Sequence, residues 1–317
     1  MSTKVTLHRA EAGTGRAVPA TRSGQPVVPL RHPGRIVAGL VIALIGAQVV
    51  YTLVTNTGFG WHVVGQYLTT SRVLHGVWLS VWLTVVSMIA GLVLGVLLAV
   101  MRLSANPIAR WSSWMFVWLF RGTPLLVQLV FWYNLSAVFP RVGVGIPFGG
   151  PVFWSASANT LITPLAAAIL GLSLNEAAYM AEIIRSGILS VDAGQTEAAT
   201  AFGMTRLRAL RRIVLPQALR VIAPPTGNEV ITMLKTTSLV SVVAVADLMY
   251  TVEQIAAANF QVIPLLVAAC IWYLALVSVL MVAQAWLERR LGRSAVRSAR
   301  PARRLSLRAG FGAKVGS

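Results

Sequence analysis

The sequence has almost nothing with which to do covalent chemistry. Its one cysteine, Cys270, lies within an apolar run, so an internal disulfide is excluded and the thiol reads as a small core residue. Acids are scarce, nine Asp and Glu against 27 Lys and Arg. Charged residues make up only 11% of the 317 positions, where a soluble domain carries about 25%. The four histidines, His8, His32, His62 and His75, show no metal-ligand spacing. No Gly-x4-Gly-Lys-Ser/Thr phosphate loop occurs, so the chain has no ATP-binding signature of its own. A membrane enzyme would need paired acids, a histidine cluster or a nucleophile beside its base at bilayer depth. Glu176 and Glu182, six positions apart, would point to different faces of a helix.

What the sequence does have is apolar length. Hydrophobic residues make up 56% of the chain and its mean hydropathy is +0.72, the composition of a membrane protein. The net charge of +18 could suggest nucleic acid, but the basic residues sit mainly in tails and in loops between apolar runs, not on one foldable soluble face. Six spans are expected at Ile36–Asn56, Val77–Met101, Pro124–Phe139, Leu161–Ser186, Thr226–Tyr250 and Ile263–Leu287. The first is long enough to cross roughly 30 Å of hydrocarbon and lacks a clear cleavage site after it, so it reads as a helix and not a signal peptide. Residues 1–35 and 291–317 read as basic tails, the former disordered. Trp111, Trp114 and Trp118 recur at helical spacing and suggest a helix lying in the membrane interface. Gly91 and Gly95 form a weak close-packing signal. Thr123 is expected to cap a third span opening at Pro124, which leaves Arg121 at the membrane boundary. Residues 140–160 and 251–262 read as external connections, and the sixth span, apolar all round, reads as lipid-facing.

Charge asymmetry orients these spans. The side that both termini share holds six Lys/Arg in the N-terminal tail, two at Arg102 and Arg110, six from Arg185 to Arg220, and nine in the C-terminal tail. Only Arg72, Arg121, Arg141 and Lys235 remain. Positive residues stay inside, so both tails and the loop 187–220 are expected to be cytoplasmic, with anionic lipid accounting for the tails' charge.

That loop carries the strongest pattern in the chain. It reads Glu197-Ala198-Ala199, three residues, Gly203, nine residues, then Ile213-Val214-Leu215-Pro216. Thr196 is a plausible cap for a first short helix, and Gly203 supplies a left-handed turn. Thr205 can cap a second helix with Leu207, Leu210 and Val214 on one stripe, until Pro216 interrupts its hydrogen bonding. At every defined position this spacing resembles the cytoplasmic signature loop of the inner-membrane permease subunits of binding-protein-dependent ABC importers. The resemblance spans roughly Leu74 to Arg290, and Arg121-Gly122-Thr123-Pro124-Leu125 looks like the polar amino acid branch (histidine, glutamine and glutamate type). It implies an all-α membrane protein: one accessory N-terminal helix, a five-helix type I importer core over residues 74–290, and a cytoplasmic coupling-helix loop. It also implies that Glu197, Ala198, Ala199, Gly203, Ile213, Leu215 and Pro216 dock the loop into a separate ATPase.

The implied function is the translocation path for a polar amino acid across a bacterial inner membrane. The implied partners are two ATPase subunits, a second permease chain, identical or related, a periplasmic or surface-anchored solute-binding protein, and membrane lipid. The chain itself is expected to bind no cofactor, with ATP and Mg on the ATPase. An ion-coupled carrier or channel for small polar solutes is the alternative, although nothing about carriers demands the Glu197–Pro216 pattern. Polar stripes mark the path. Asn175, Tyr179 and Glu182 lie on one face of the fourth span with Glu176 beside them. In the fifth, Asn228, Thr232 and Lys235 are flanked by Glu229 and Thr236. Arg121, Thr123 and Gln128 are the candidates at and after the start of the third. Glu176 and Lys235 fall at similar depth and need partners. Either they pair across helices, or they meet the ammonium and carboxylate of a passing amino acid. A basic residue just ahead of Thr-Ser-Leu is familiar in the resembled family, an acid at Glu176 less so.

Overall fold

The computed structural model describes residues 33–146 and 150–298, which divide after Asn56 into two compact units. Residues 1–32 and 299–317, which hold most of both basic tails together with His8 and His32, lie outside the described residues. The first unit contributes α1, Pro33–Thr55, opened by a proline whose fixed φ suits a first helical position. Its apolar side chains are exposed, Leu44 by 73%, as on a helix with lipid around it.

The second unit opens with α2, Trp61–Leu68, and α3, Ser71–Leu103. A short turn at Ser104–Asn106 leads into α4, Pro107–Gly122, whose first N–H groups are capped by Asn106 Oδ1. Next come α5, Leu125–Tyr133, and the single turn α6, Leu135–Val138. The connection expected to be external carries an antiparallel hairpin, β1 Arg141–Gly145 against β2 Val152–Ser157, with Val142 opposite Ala156, then α7, Ala158–Leu161. After α8, Pro164–Leu189, the loop holds α9, Ala193–Ala201, and α10, Arg206–Ala209. The chain finishes with α11, Leu215–Thr236, α12, Leu248–Asn259, and α13, Val262–Ser298.

Among the described residues four helices are long and apolar enough to cross a membrane alone: α1, α3, α8 and α13. Two bent pairs pass the same test of length and composition together, α4 with α5 at 102° and the stretch Arg206–Val243 with α12 at 47°, which brings the number to six where each pair is one span. The centre of the fold is α8, 61% buried over its most apolar stretch, whereas α13 is 17% buried. It lies on α3 because both glycines of the spaced pair vanish where the helices meet. A Cβ on Gly91 would fall 2.6 Å from Glu176 Cγ, and one on Gly95 would fall 2.6 Å from Met180 Cβ. Leu83, Leu129, Leu172, Met233 and Val240 complete a core drawn from four of the spans.

Several expectations need correcting. The tryptophan helix is part of the third span and does not lie in the interface plane. It runs antiparallel to α3, with Ser113 Oγ donating to Leu98 O at 2.7 Å and Phe116 and Val117 packed by Leu94 and Ala177. Thr123 does not cap the next helix: its hydroxyl donates back to Leu119 O, and Pro124 holds the cap position. The fifth span is neither 226–250 nor one straight helix. It starts at Leu215, because Pro216 sits in the first turn, where no N–H is needed, and a π-helical segment Leu210–Val214 joins it to α10 without a stop. It ends in a 3-10 segment, Thr237–Val243, and a left-handed Ala244 at φ 58°. The buried Asp247 then starts α12 afresh: its Oδ1 accepts from Tyr250 N at 2.9 Å, and its Oδ2 accepts from Ser80 Oγ and Tyr273 OH at 3.5 and 3.4 Å. Residues 251–259 are therefore helix and not a loose connection. The last span is not lipid-facing all round. Leu265, Ala268 and Ala269 are buried, and Gln284 Nε2 donates to Asn228 Oδ1 at 2.8 Å and to Pro224 O at 3.5 Å. Helix α13 also continues through Ser298, so the segment beyond 290 begins as helix.

Candidate functional site

The signature loop folds into a compact knob. Asp192, not Thr196, starts its first helix, with Oδ1 accepting from Gly194 N at 2.7 Å. Gly203 turns the chain at φ +75°, a left-handed conformation that few other residues adopt, and a side chain there would meet open space. Thr205 stands at the start of α10 but makes no side-chain cap. Ala199 is 2% exposed, so its small side chain serves the fit of the knob on itself, while Glu197 and Ala198 stand outside. Of the stripe Leu207, Leu210 and Val214 only Val214 is buried; Leu207 is 57% exposed and Leu210 38%. Ile213 is half-buried, and Leu215 and Pro216 are exposed. The residue that the spacing did not single out is Phe202, 88% exposed on a loop tip. A bulky apolar residue directly before the glycine, in an otherwise polar loop, was the available signal.

The path residues converge on a cleft of about 530 Å³ between the α4–α5 bend, α8 and α11. Arg121, Thr123, Asn175, Glu176, Tyr179, Glu229, Thr232 and Thr236 all line it, together with Met233 and Leu125, which polarity alone could not have flagged. Arg121 is not at a boundary. It lies about 21 Å along α4, and its guanidinium stands over the Tyr179 ring at 5.1 Å, ten residues from the end of α8. Glu176 is 3% exposed, and its Oε1 has no hydrogen-bond partner, an uncommon state for a buried carboxylate oxygen.

Four expected path residues are placed elsewhere, three of them held by a local partner and the fourth, Lys235, turned outward. Gln128 is buried behind the bend. Its Nε2 donates to Phe120 O at 2.9 Å, to Thr123 O at 3.1 Å and to Thr123 Oγ1 at 2.8 Å. Asn175 adds a bond from Nδ2 to the same Phe120 carbonyl at 3.0 Å and one to Gln128 Oε1 at 3.3 Å. Carbonyls left free by the 102° bend are thus satisfied by two amides. Glu182 forms an ion pair with Arg185 on its own helix, the one salt bridge among the described residues. Asn228 accepts from Gln284. Lys235 is exposed and lines no part of the cleft, so the Glu176–Lys235 ion pair is not made.

A polar cleft at mid-helix depth, enclosed by broken spans and set apart from an exposed knob, defines a transmembrane permease subunit rather than a catalytic one. The chain belongs to the family described as the binding-protein-dependent transport system inner membrane component, whose model matches residues 91–293. The carrier or channel alternative is thereby set aside. The chain is 41% identical over 285 residues to the arginine transport system permease protein ArgU of Corynebacterium glutamicum, covering 88% of each chain. It is 35% identical over 184 residues to the glutamine transport system permease protein GlnP of Escherichia coli, covering 58% of this chain and 76% of that one. Among solved structures it resembles one described as an amino acid ABC transporter with histidines. That likeness has a TM-score of 0.60 at 32% identity and covers 69% of this chain and 94% of the other. The methionine ABC transporter MetNI, at 24% identity and a TM-score of 0.53, shares the fold.

Proposed function

We propose that the permease passes an amino acid with a cationic side chain, arginine being the type, through the cleft between α4–α5, α8 and α11. The observation that carries this reading is the charge of the lining: two carboxylates, Glu176 and Glu229, against one guanidinium, Arg121. Arg121 suits the α-carboxylate of the cargo, which a planar fork can hold at two points. One acid suits the α-ammonium. A second acid would be left uncompensated by a neutral amino acid, and a cationic side chain supplies the missing charge. The unpartnered Glu176 Oε1 is an acceptor open to the α-ammonium, which leaves Glu229 for the cationic side chain. The relative named as an arginine permease supports the same cargo, and the path residues keep to this class whatever the exact side chain.

Energy enters from outside the chain. Two ATPase subunits, holding ATP and Mg, engage the knob through Glu197, Ala198 and Phe202, with Gly203 setting the turn and Ile213, Leu215 and Pro216 carrying the knob into α11. A second permease chain completes the pathway, and a solute-binding protein delivers the cargo on the opposite face. Both termini lie in the cytoplasm of a bacterial cell, an orientation that the distribution of Lys and Arg supports.

The test is equilibrium binding of radiolabelled arginine and glutamine to the detergent-purified complex, with the solute-binding protein omitted so that only the cleft selects. A charge-assisted hydrogen bond is worth about 1.5–3 kcal/mol, or about 10- to 150-fold in affinity. Glu229→Gln should weaken arginine by that factor and leave glutamine within about twofold. Equal loss for both ligands would show that Glu229 does not read side-chain charge.

A further inference from the structure

On the side of the molecule that carries the knob, the end of α3, the start of α4 and the end of α8 enclose a second cavity, of about 760 Å³. Its lining holds three guanidinium groups, Arg102, Arg110 and Arg185, and no carboxylate. Glu182 pairs with Arg185 and its charge also reaches Arg102, one carboxylate against three guanidiniums; Arg102 and Arg110 have no ion pair of their own among the described residues. The tight turn at Ser104–Asn106, closed by Asn106 N donating to Ser104 Oγ at 3.1 Å, sets these two arginines on facing helices. Concentrating positive charge in one recess is costly unless an anion occupies it.

The wall above the recess is of a different kind. Ile108, Trp111, Trp114 and Trp118 form one exposed stripe of α4, exposed by 75, 61, 44 and 60%, with Trp114 and Trp118 stacked at 6.3 Å. Ile108 to Trp118 is ten residues, about 15 Å, which is half the thickness of a bilayer's hydrocarbon core. A basic recess at one end of an apolar track one leaflet long is the complement of an anionic amphiphile. A free anion has no use for the track, and a soluble protein surface would not follow it into the hydrocarbon.

We infer that this recess binds the headgroup of an anionic phospholipid of the cytoplasmic leaflet, with its phosphodiester between Arg102 and Arg110 and its acyl chains along the tryptophan stripe. The inference is independent of the cargo assigned to the cleft, since the two sites share no residue.

The experiment measures lipid affinity of the full chain in its assembled complex, delipidated in detergent. The complex is titrated separately with dioleoylphosphatidylglycerol, dioleoylphosphatidylcholine and inorganic phosphate, and binding is read by native mass spectrometry and by the shift in Tm. Phosphatidylglycerol should bind at least tenfold more tightly than phosphatidylcholine and raise Tm; inorganic phosphate should do neither. Each arginine near an anionic headgroup is worth about fivefold, so Arg102→Gln with Arg110→Gln should weaken phosphatidylglycerol by about 25-fold. Should the double variant fail to assemble, Arg110→Gln alone, at an exposed position on the surface of α4, carries the test with an expected fivefold loss. Equal affinity for the two lipids, an unchanged phosphatidylglycerol affinity in the variants, or a Tm response to inorganic phosphate equal to that for phosphatidylglycerol would each overturn the assignment.

Discussion

Gly91→Ala is the smallest change that joins the packing of the spans to the chemistry of the cleft. The added Cβ would sit 2.6 Å from Glu176 Cγ and 2.7 Å from Glu176 Cβ, with Ala177 N at 3.4 Å. Carbon atoms prefer about 3.5–4.0 Å, so α3 and α8 must separate by about 1 Å or Glu176 must leave its rotamer. Overpacking of this kind costs about 1–3 kcal/mol, and replacing a helical glycine returns about 0.5–1 kcal/mol, leaving a net loss of about 1–2 kcal/mol. At about 2–4 °C per kcal/mol for a unit of this size, Tm of the detergent-solubilised complex should fall by about 2–8 °C. Arginine affinity, measured on the same preparation, should fall with it, because the carboxylate that moves lines the cleft. Gly65→Ala is the matched control: a Cβ there meets nothing within 4 Å, so neither Tm nor affinity should drop. If Gly91→Ala left both quantities at the wild-type value, the close approach of α3 to Glu176 would be wrong, and with it the placement of the acid in the cleft.

Two other perturbations separate structure from coupling. Gln128→Leu removes the donor that satisfies Phe120 O and Thr123 O at the α4–α5 bend. Phe120 O keeps its bond from Asn175 Nδ2, but Thr123 and Asn175 each lose their bonds to Gln128; at about 0.5–1.5 kcal/mol per hydrogen bond, thermal denaturation should show the loss in Tm before any change in cargo preference. At the knob, Gly203→Asn tolerates the left-handed turn and should keep most ATP hydrolysis by the assembled complex. Gly203→Val does not, and should cost about 1–2 kcal/mol locally and most of the coupling. Phe202→Ala should leave the chain inserted and folded, since the ring is 88% exposed, while reducing cargo-stimulated ATP hydrolysis several-fold; normal stimulation in that variant would remove the ring from the docking contact.

The spans were legible because apolar length has few other uses, and the knob because its glycine and spacing are local. The ends of the spans were not. Whether Pro216 breaks a helix depends on its falling in a first turn, and whether Asp247 interrupts a span depends on Ser80 and Tyr273, far away in sequence, turning it into a buried cap. The cleft was legible in outline because polar side chains at bilayer depth must face protein or water. Its exact membership was decided by partners that periodicity cannot reveal. Gln284 claims Asn228, Arg185 claims Glu182 and the bend claims Gln128, while Arg121 reaches the middle of α8 because α4 packs along α3 and α8.

Two consecutive prolines, Pro224 and Pro225, lie within α11 between the knob and the cleft. Each removes a backbone donor, so the rod has a joint about nine residues, or about 14 Å, beyond Leu215. Below the joint, Ala218 and Ile222 bed the shaft against α8 at Gly187; above it stand Glu229, Thr232 and Thr236. Gln284 spans the joint like a splint, touching Pro224 O and Asn228 Oδ1 from α13. A push delivered to the knob is thus free to arrive at the cleft as a change of angle rather than a sliding of the whole helix, and a swing of about 10° over the 11 residues from Pro225 to Thr236 sweeps the far end through about 3 Å. That is a hydrogen bond's length, the scale that separates a contact made at the cleft from one broken.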